Sequence, residues 1–217
     1  RNVIQNNSMS SNSINFESAA NNSLKDNKFD NTGLNVYNGY DHTVEGNTVN
    51  GLPLIYLEDT NNKKFVDRGD AAQIIMNNCS NIEIKNQQIN QTPGGIQIHE
   101  TDQITIENNI ITNNTETGVE IYSSKNNTVL NNTITDNIYG VELEYLQDSK
   151  IIENNISDNG YYGIKLKSSH RNDLAKNTVK NHTEGVALGK YGASNNNTVS
   201  GNTIEENDYG IILDEGS

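Results

Sequence analysis

The chain has 217 residues, only 32% of them hydrophobic, with ten tyrosines, three phenylalanines and no tryptophan; a globule round one thick core needs more apolar mass to offset its chain entropy. A formal net charge of −13 disfavours nucleic acid and anionic membrane surfaces as partners, since both are held by Lys and Arg, while leaving local basic residues free to serve an anionic substrate. The single cysteine, Cys79, excludes an internal disulfide and a multi-cysteine zinc site, and no apolar run is long enough for a membrane span.

The apolar residues that are present recur periodically. At the N-terminus Asn7, Asn27 and Asn47 each stand two residues before an apolar residue (Met9, Phe29 and Val49). The pattern then lapses until Gln87. The intervening "GLPLIYLEDTNNKKFVDRGDAAQII" contains Pro53, which is unsuited to a central ladder position. This stretch is expected to hold one enlarged coil or two short ones and to protrude from the regular cross-section. Cys79, in "NNCSNIEI", is expected at a coil corner.

From Gln87 the repeat is regular: Asn109, Asn132, Asn154, Asn177 and Asn202 continue the asparagine series. Gly95, Gly118, Gly140, Gly163, Gly185 and Gly210 are separated by 23, 22, 23, 22 and 25 residues, the last interval lengthened by "GKYGAS" at 189–194. Short runs such as "GVEI", "NTVL" and "NTI" alternate apolar and polar residues, the mark of strands buried on one face. Three strands per period, broken by Asn, Ser, Asp and Gly turns, make one coil of an all-β parallel solenoid. About nine such coils, almost no helix and a single domain over 1–217 are expected. The asparagines should stack and hydrogen-bond along the axis, a structural role.

The segments "NTITDNIYGVEL", "NNISDNGYYGIKL" and "NTIEENDYGIIL" resemble NosD-type repeats, also called carbohydrate-binding and sugar-hydrolase repeats. "GNTVNGLPLIYLEDTNN" resembles archaeal surface proteins that carry them, among which the methanogen disaggregatase is a relative. The resemblance covers the chain from about Asn27 onward. It implies a right-handed, single-stranded parallel β-helix of the pectate-lyase type and a groove along the first strand of each coil. It also implies an extracellular or cell-surface protein acting on polysaccharide. The opening at Arg1 reads as an excised piece of a larger secreted protein with flanking domains.

In each Gly-(Ile/Val)-x-(Leu/Ile)-x run the third and fifth residues point outward. Two columns result: Gln97, Glu120, Glu142, Lys165, Ala187, Ile212, and His99, Tyr122, Glu144, Lys167, Gly189, Asp214. Glu120, Glu142, Glu144 and His99 are the candidate catalytic residues. Like charges one strand apart should raise one carboxyl's pKa and keep it protonated as a general acid. Gln97, Tyr122, Tyr145, Lys165 and Lys167 are the candidate substrate-binding residues, the lysines for a uronate carboxylate or sulfate and the tyrosines for a sugar face. The competing reading is an ordinary solvated face, with Glu142–Lys165 and Glu144–Lys167 as cross-strand pairs. His42, His170 and His182 have no companion ligands, so no metal or other cofactor is expected, calcium at an acidic turn being the one open alternative. Two functions remain: a hydrolase or lyase of acidic polysaccharide, and a non-catalytic surface module that binds carbohydrate or builds the envelope.

Overall fold

A computed structural model describes residues 1–37, 39–66, 69 and 71–214. All regular structure among these residues is strand, none is helix, and the chain makes about nine turns of parallel β-solenoid. Each regular coil gives one strand to each of three sheets. The coil that begins at Thr117, for example, contributes Thr117–Tyr122, Thr128–Leu130 and Thr133–Thr135. Its neighbours contribute in the same register, so Val119 pairs with Val141, which pairs with Ile164, Val186 and Ile211 in turn.

This register stacks like on like inside. Ile121, Leu143, Leu166 and Leu188 form one buried file, Ile106, Val129, Ile151 and Leu174 a second, and Ile111, Ile134, Ile156 and Val179 a third. Each coil therefore buries only a few aliphatic side chains, each worth about 1.5–3 kcal/mol. That economy is how a chain so poor in apolar residues holds a dry core.

The glycines do line up in one axial column, and close approach is the reason. A Cβ on Gly118 would sit 2.9 Å from the carbonyl oxygen of Gly140, and one on Gly140 would sit 2.5 Å from that of Gly163. The asparagines form the expected ladder: Asn154 Nδ2 donates to Val129 O, Ile152 O and Asn177 Oδ1, while Asn154 Oδ1 accepts from the amide of Asn132. A second ladder of Asn114, Asn137, Asn159, His182 and Asn207 runs beside it, and the histidine takes an asparagine's place there. Cys79 is buried at a corner, its amide donating to Thr101 Oγ1 at 3.0 Å.

The early chain departs from expectation. Strand Leu52–Glu58 pairs in parallel with Gln73–Asn77, and Asn61–Phe65 with Ser80–Lys85, so the stretch expected to protrude joins the main stack as its first coil, giving strands to two of the three sheets. Residues 67, 68 and 70 of that stretch lie outside the described residues. Pro53 is accommodated because its carbonyl, not an N–H, is what its neighbour uses, accepting from Ala72 N. The gap in the asparagine series has another cause. Asn50 and Gly51 both have positive φ, at 50° and 82°, and reverse the chain so that Thr48–Val49 runs antiparallel to Leu52–Pro53. Residues 1–49 thus form a separate short solenoid with a 20-residue period, pairing Val3–Gln5, Ser23–Lys25 and Thr43–Glu45. It has its own core, with Phe16, Leu24, Phe29, Leu34, Val36 and Val49 packed on Leu54, Ala72 and Ile75 of the main stack.

Candidate functional site

The outer face of the largest sheet carries columns of side chains parallel to the axis. Gln97, Glu120, Glu142, Lys165, Ala187 and Ile212 are in direct register, as are His99, Tyr122, Glu144 and Lys167. Gly189 and Asp214 fall just beyond their strands. A third outward column pairs Thr117 with Tyr139, and Tyr162 with Glu184 and Tyr209. Successive residues in a column are about 4.8 Å apart.

Two elements rise above this face. On one side strand Leu34–Tyr37 of the N-terminal solenoid lies across it. Gln73 Nε2 donates to Leu34 O at 2.6 Å and Gly94 O at 3.0 Å, and Gln73 Oε1 accepts from Leu34 N at 3.1 Å. Asn35 Nδ2 and Tyr37 Oη donate to the two oxygens of Glu116, at 3.1 and 2.5 Å. Ile75, which precedes Gln97 in the first column, is thereby roofed by the N-terminal core. On the other side the 189–194 insertion folds over the sheet. Lys190 pairs with the buried Glu184, and its ammonium lies 5.4 Å from the ring centre of Tyr162. Lys165 Nζ sits 4.9 Å from the Tyr162 ring and 5.5 Å from that of Tyr191.

Between these walls is a trough. Glu120, Tyr122, Glu142, Glu144, Lys165 and Lys167 line its narrow floor. At Tyr122 the floor meets a wider cleft of about 250 Å³ against the N-terminal segment, where His99, Asn77, Val36 and Tyr40 contribute. Tyr145, exposed, sits at the trough's edge with its ring 5.4 Å from that of Tyr122 and perpendicular to it.

Burial and charge set the protons here. The Glu120 carboxyl is pushed up to about 7, first by burial; the hydrogen bond from Gln97 Nε2 at 3.1 Å opposes this, and Glu142, Glu116 and Glu144 add to it. Like-charge repulsion from Glu142, the cause expected from sequence, is therefore secondary to desolvation. Burial alone lowers His99 to about 4, so its imidazole is neutral at physiological pH. Its Nε2 has no hydrogen-bond partner among the described residues. Glu142 accepts from Lys165 Nζ at 3.0 Å and from Thr117 Oγ1 at 2.9 Å. Glu144 accepts from Lys167 Nζ at 2.6 Å, a bond that raises the Lys167 pKa. The face thus has both the walls of a site and the paired charges of a sheet surface. Among the described residues no group of three or more His, Cys, Asp or Glu side chains is placed to hold a metal, and no helix is long and apolar enough to cross a membrane.

Eight of the nine candidate residues stand on or at the rim of this trough, while Gln97, 1% exposed, lies buried beyond it and reaches it through its hydrogen bond to Glu120. Sequence reasoning missed the third column and the walls. The column had a signal, since the residue before the repeat glycine is Tyr139, Tyr162 and Tyr209 in three coils. The contacts of Asn35 and Tyr37 with Glu116 had none, because they join residues about 80 positions apart.

A family profile described as a right handed beta helix region matches residues 72–217. The chain belongs to the right-handed β-helix family. No curated protein sequence matches this β-helix. Among solved structures it is similar to the mannuronan C-5 epimerase AlgE6 A-module of Azotobacter vinelandii, with a TM-score of 0.58 and 17% identity over 98% of this chain and 60% of that one. The AlgE4 A-module of the same organism gives 0.45 and 14%, over 98% and 79%. The periplasmic alginate epimerase AlgG gives 0.45 and 18%, over 88% and 50%. This β-helix spans about 60% of the AlgE6 module and half of AlgG. At these identities the likeness is one of fold.

Proposed function

We propose that this β-helix is an extracellular or cell-surface domain that acts on acidic polysaccharide, as a hydrolase or lyase, in the trough between the N-terminal strand and the 189–194 insertion. The observation that carries the reading is the registered column Glu120–Glu142–Lys165 on the trough floor, with Glu120 at a pKa of about 7. A carboxyl so placed is partly protonated at neutral pH and serves as a general acid toward a glycosidic oxygen. Glu142, one coil and about 4.8 Å away in register, serves as the nucleophile in a retaining hydrolysis or as the base toward the proton beside a uronate carboxylate in elimination. Lys165 and Lys167 each spend one N–H on a glutamate and keep others for a sugar carboxylate or sulfate. Tyr122 and Tyr145 offer ring faces to the sugar. The likeness of the repeats to NosD-type and disaggregatase-like surface proteins supports this reading, as does an AlgE6 module whose name marks it as acting on a polyuronate.

A second reading is favoured by one observation. The Glu142–Lys165 and Glu144–Lys167 pairs already neutralise much of the face, as they would in a non-catalytic carbohydrate-binding or envelope module. The test is a screen on acidic and neutral glycans followed by mass analysis of any products. Catalysis predicts that Glu142→Gln and Glu120→Gln each lower turnover at least 100-fold while substrate still binds. Binding with no product from the unmodified protein would decide for the second reading.

A further inference from the structure

The trough is open along its floor but blocked at one end. The first column runs on past Gln97 to Ile75 and Tyr56, and there the N-terminal solenoid sits on it. The block is firmly held: Gln73 clasps both backbone groups of Leu34, Asn77 Nδ2 donates to Gly39 O at 3.0 Å, and Tyr37 and Asn35 grip Glu116. Gln97 itself is 1% exposed, so no sugar chain can continue across it. A glycan lying along the columns from Lys167 toward Glu120 must therefore end, and the 250 Å³ cleft is where it ends. That volume is below the roughly 300–1,000 Å³ of sites that take drug-sized ligands and suits a single sugar ring.

The cleft has the chemistry of a sugar subsite. Tyr122 forms part of both its wall and the trough floor, so a ring seated in the cleft is continuous with one lying over Glu120. Tyr40, 57% exposed, stands at the rim. The rings of Tyr40 and Tyr122 supply apolar surface for the C–H face of a sugar. His99 borders the cleft; its Nε2 is buried and has no partner among the described residues, and a turn of the ring brings it to a sugar hydroxyl, from which a neutral imidazole accepts. Burial favours that neutral form. A hydroxyl donor would relieve the cost of leaving that buried nitrogen without a partner.

Resting on the function proposed above, we propose that the cleft beneath the N-terminal solenoid is a terminal subsite that receives the last sugar unit of an acidic glycan. The domain then takes its substrate by one chain end and does not bind internal stretches of it. The N-terminal solenoid is the specificity element, since it closes the trough at the Gln97 end.

The test uses hexameric oligouronates in four forms: both ends free, the non-reducing end methylated, the reducing end coupled to a bulky aromatic amine, and both ends blocked. Binding is measured by calorimetry on the full chain. Blocking one particular end should weaken binding at least tenfold, and blocking the other should leave it unchanged. Where the oligomer is turned over, early products should be one short size. His99→Phe, which keeps a ring against Tyr122, and Tyr40→Ala at the exposed rim should each reduce the preference for the free end while the chain stays folded at the assay pH and temperature. Equal binding of all four forms, or a broad ladder of early products, overturns the terminal subsite and leaves the trough as a site for acidic glycan. Failure of every form to bind overturns both.

Discussion

Glu120 and His99 stand on the same face, and burial moves their protons in opposite senses. The Glu120 carboxyl, raised to about 7, holds its proton more tightly in the folded chain than in the unfolded one. Its contribution to stability is complete below the ordinary carboxyl pKa of about 4.5 and is lost as pH rises through 7. His99, lowered to about 4, is the reverse: its contribution is complete above the ordinary imidazole value of about 6.5 and is lost as pH falls through 4. Across pH 4.5–6.5 the two partly cancel, so the stability of the unmodified chain should vary little there. Single variants should separate them. Glu120→Gln should leave a chain whose melting temperature rises with pH over this window, and His99→Phe one whose melting temperature falls. A Glu120→Gln variant that tracks the parent at every pH would show that Glu120 titrates normally. The columns holding both residues were legible in the sequence, because the glycine register fixes which residues point outward. The depth of burial was not, because the roof over His99 and Gln97 comes from residues 34–37, 39 and 40, outside the regular repeat.

Strand and turn carry the coil through two devices that differ in how they fail. The glycine column is a matter of space: at Gly140 an added Cβ would meet Gly163 O at 2.5 Å and Ile156 Cγ2 at 2.9 Å, and backbone cannot yield cheaply. Gly140→Ala should cost about 2–3 kcal/mol in chemical denaturation. Gly160 is a control, since its Cβ would find nothing nearer than 3.6 Å, and Gly160→Ala should change stability by less than about 1 kcal/mol. The asparagine ladder is a matter of satisfaction. Asn154→Ala would strand the amide of Asn132 and the carbonyl of Val129 in the interior, at a cost of roughly 1–3 kcal/mol per group. The same change at Asn202, in the last coil, should cost less. Equal costs at the two sites would argue against the ladder as a cooperative element. Both devices announced themselves by periodicity. The Asn50–Gly51 reversal did not, although Asn-Gly is a strong hairpin signal. In this chain non-glycine residues, asparagine foremost, adopt positive φ at turn after turn, so one more turn asparagine carried little contrast against the background.

At the scale of the molecule, the reversal at Asn50–Gly51 makes two solenoids that share a boundary. A linear stack is held by nearest-neighbour contacts, so its stability is roughly a sum over coils and their interfaces. The N-terminal solenoid has two strands in its Ile14–Glu17 and Leu34–Tyr37 sheet and a core completed only by Leu54, Ala72 and Ile75 of the main stack. So small a unit is expected to depend on its dock. The dock's polar centre is Gln73, wholly buried, which satisfies the N–H and C=O of Leu34 and the carbonyl of Gly94. Gln73→Leu fills similar space and leaves those groups without partners, a penalty of roughly 1–3 kcal/mol for each. That penalty falls on the interface between the solenoids and not on the coil-to-coil contacts from Gly95 to Gly210. Calorimetry should therefore show one transition for the parent chain. The variant should show two, with the new low-temperature step matched by proteolytic cleavage confined to residues 1–50. The trough's closed end belongs to the same step, because Tyr37 and Asn35 leave Glu116 when the N-terminal solenoid lifts. A variant that keeps a single transition at nearly the parent temperature would place the strength of the dock in its apolar contacts, Ile75 against Leu34 and Val36, and not in the Gln73 clasp.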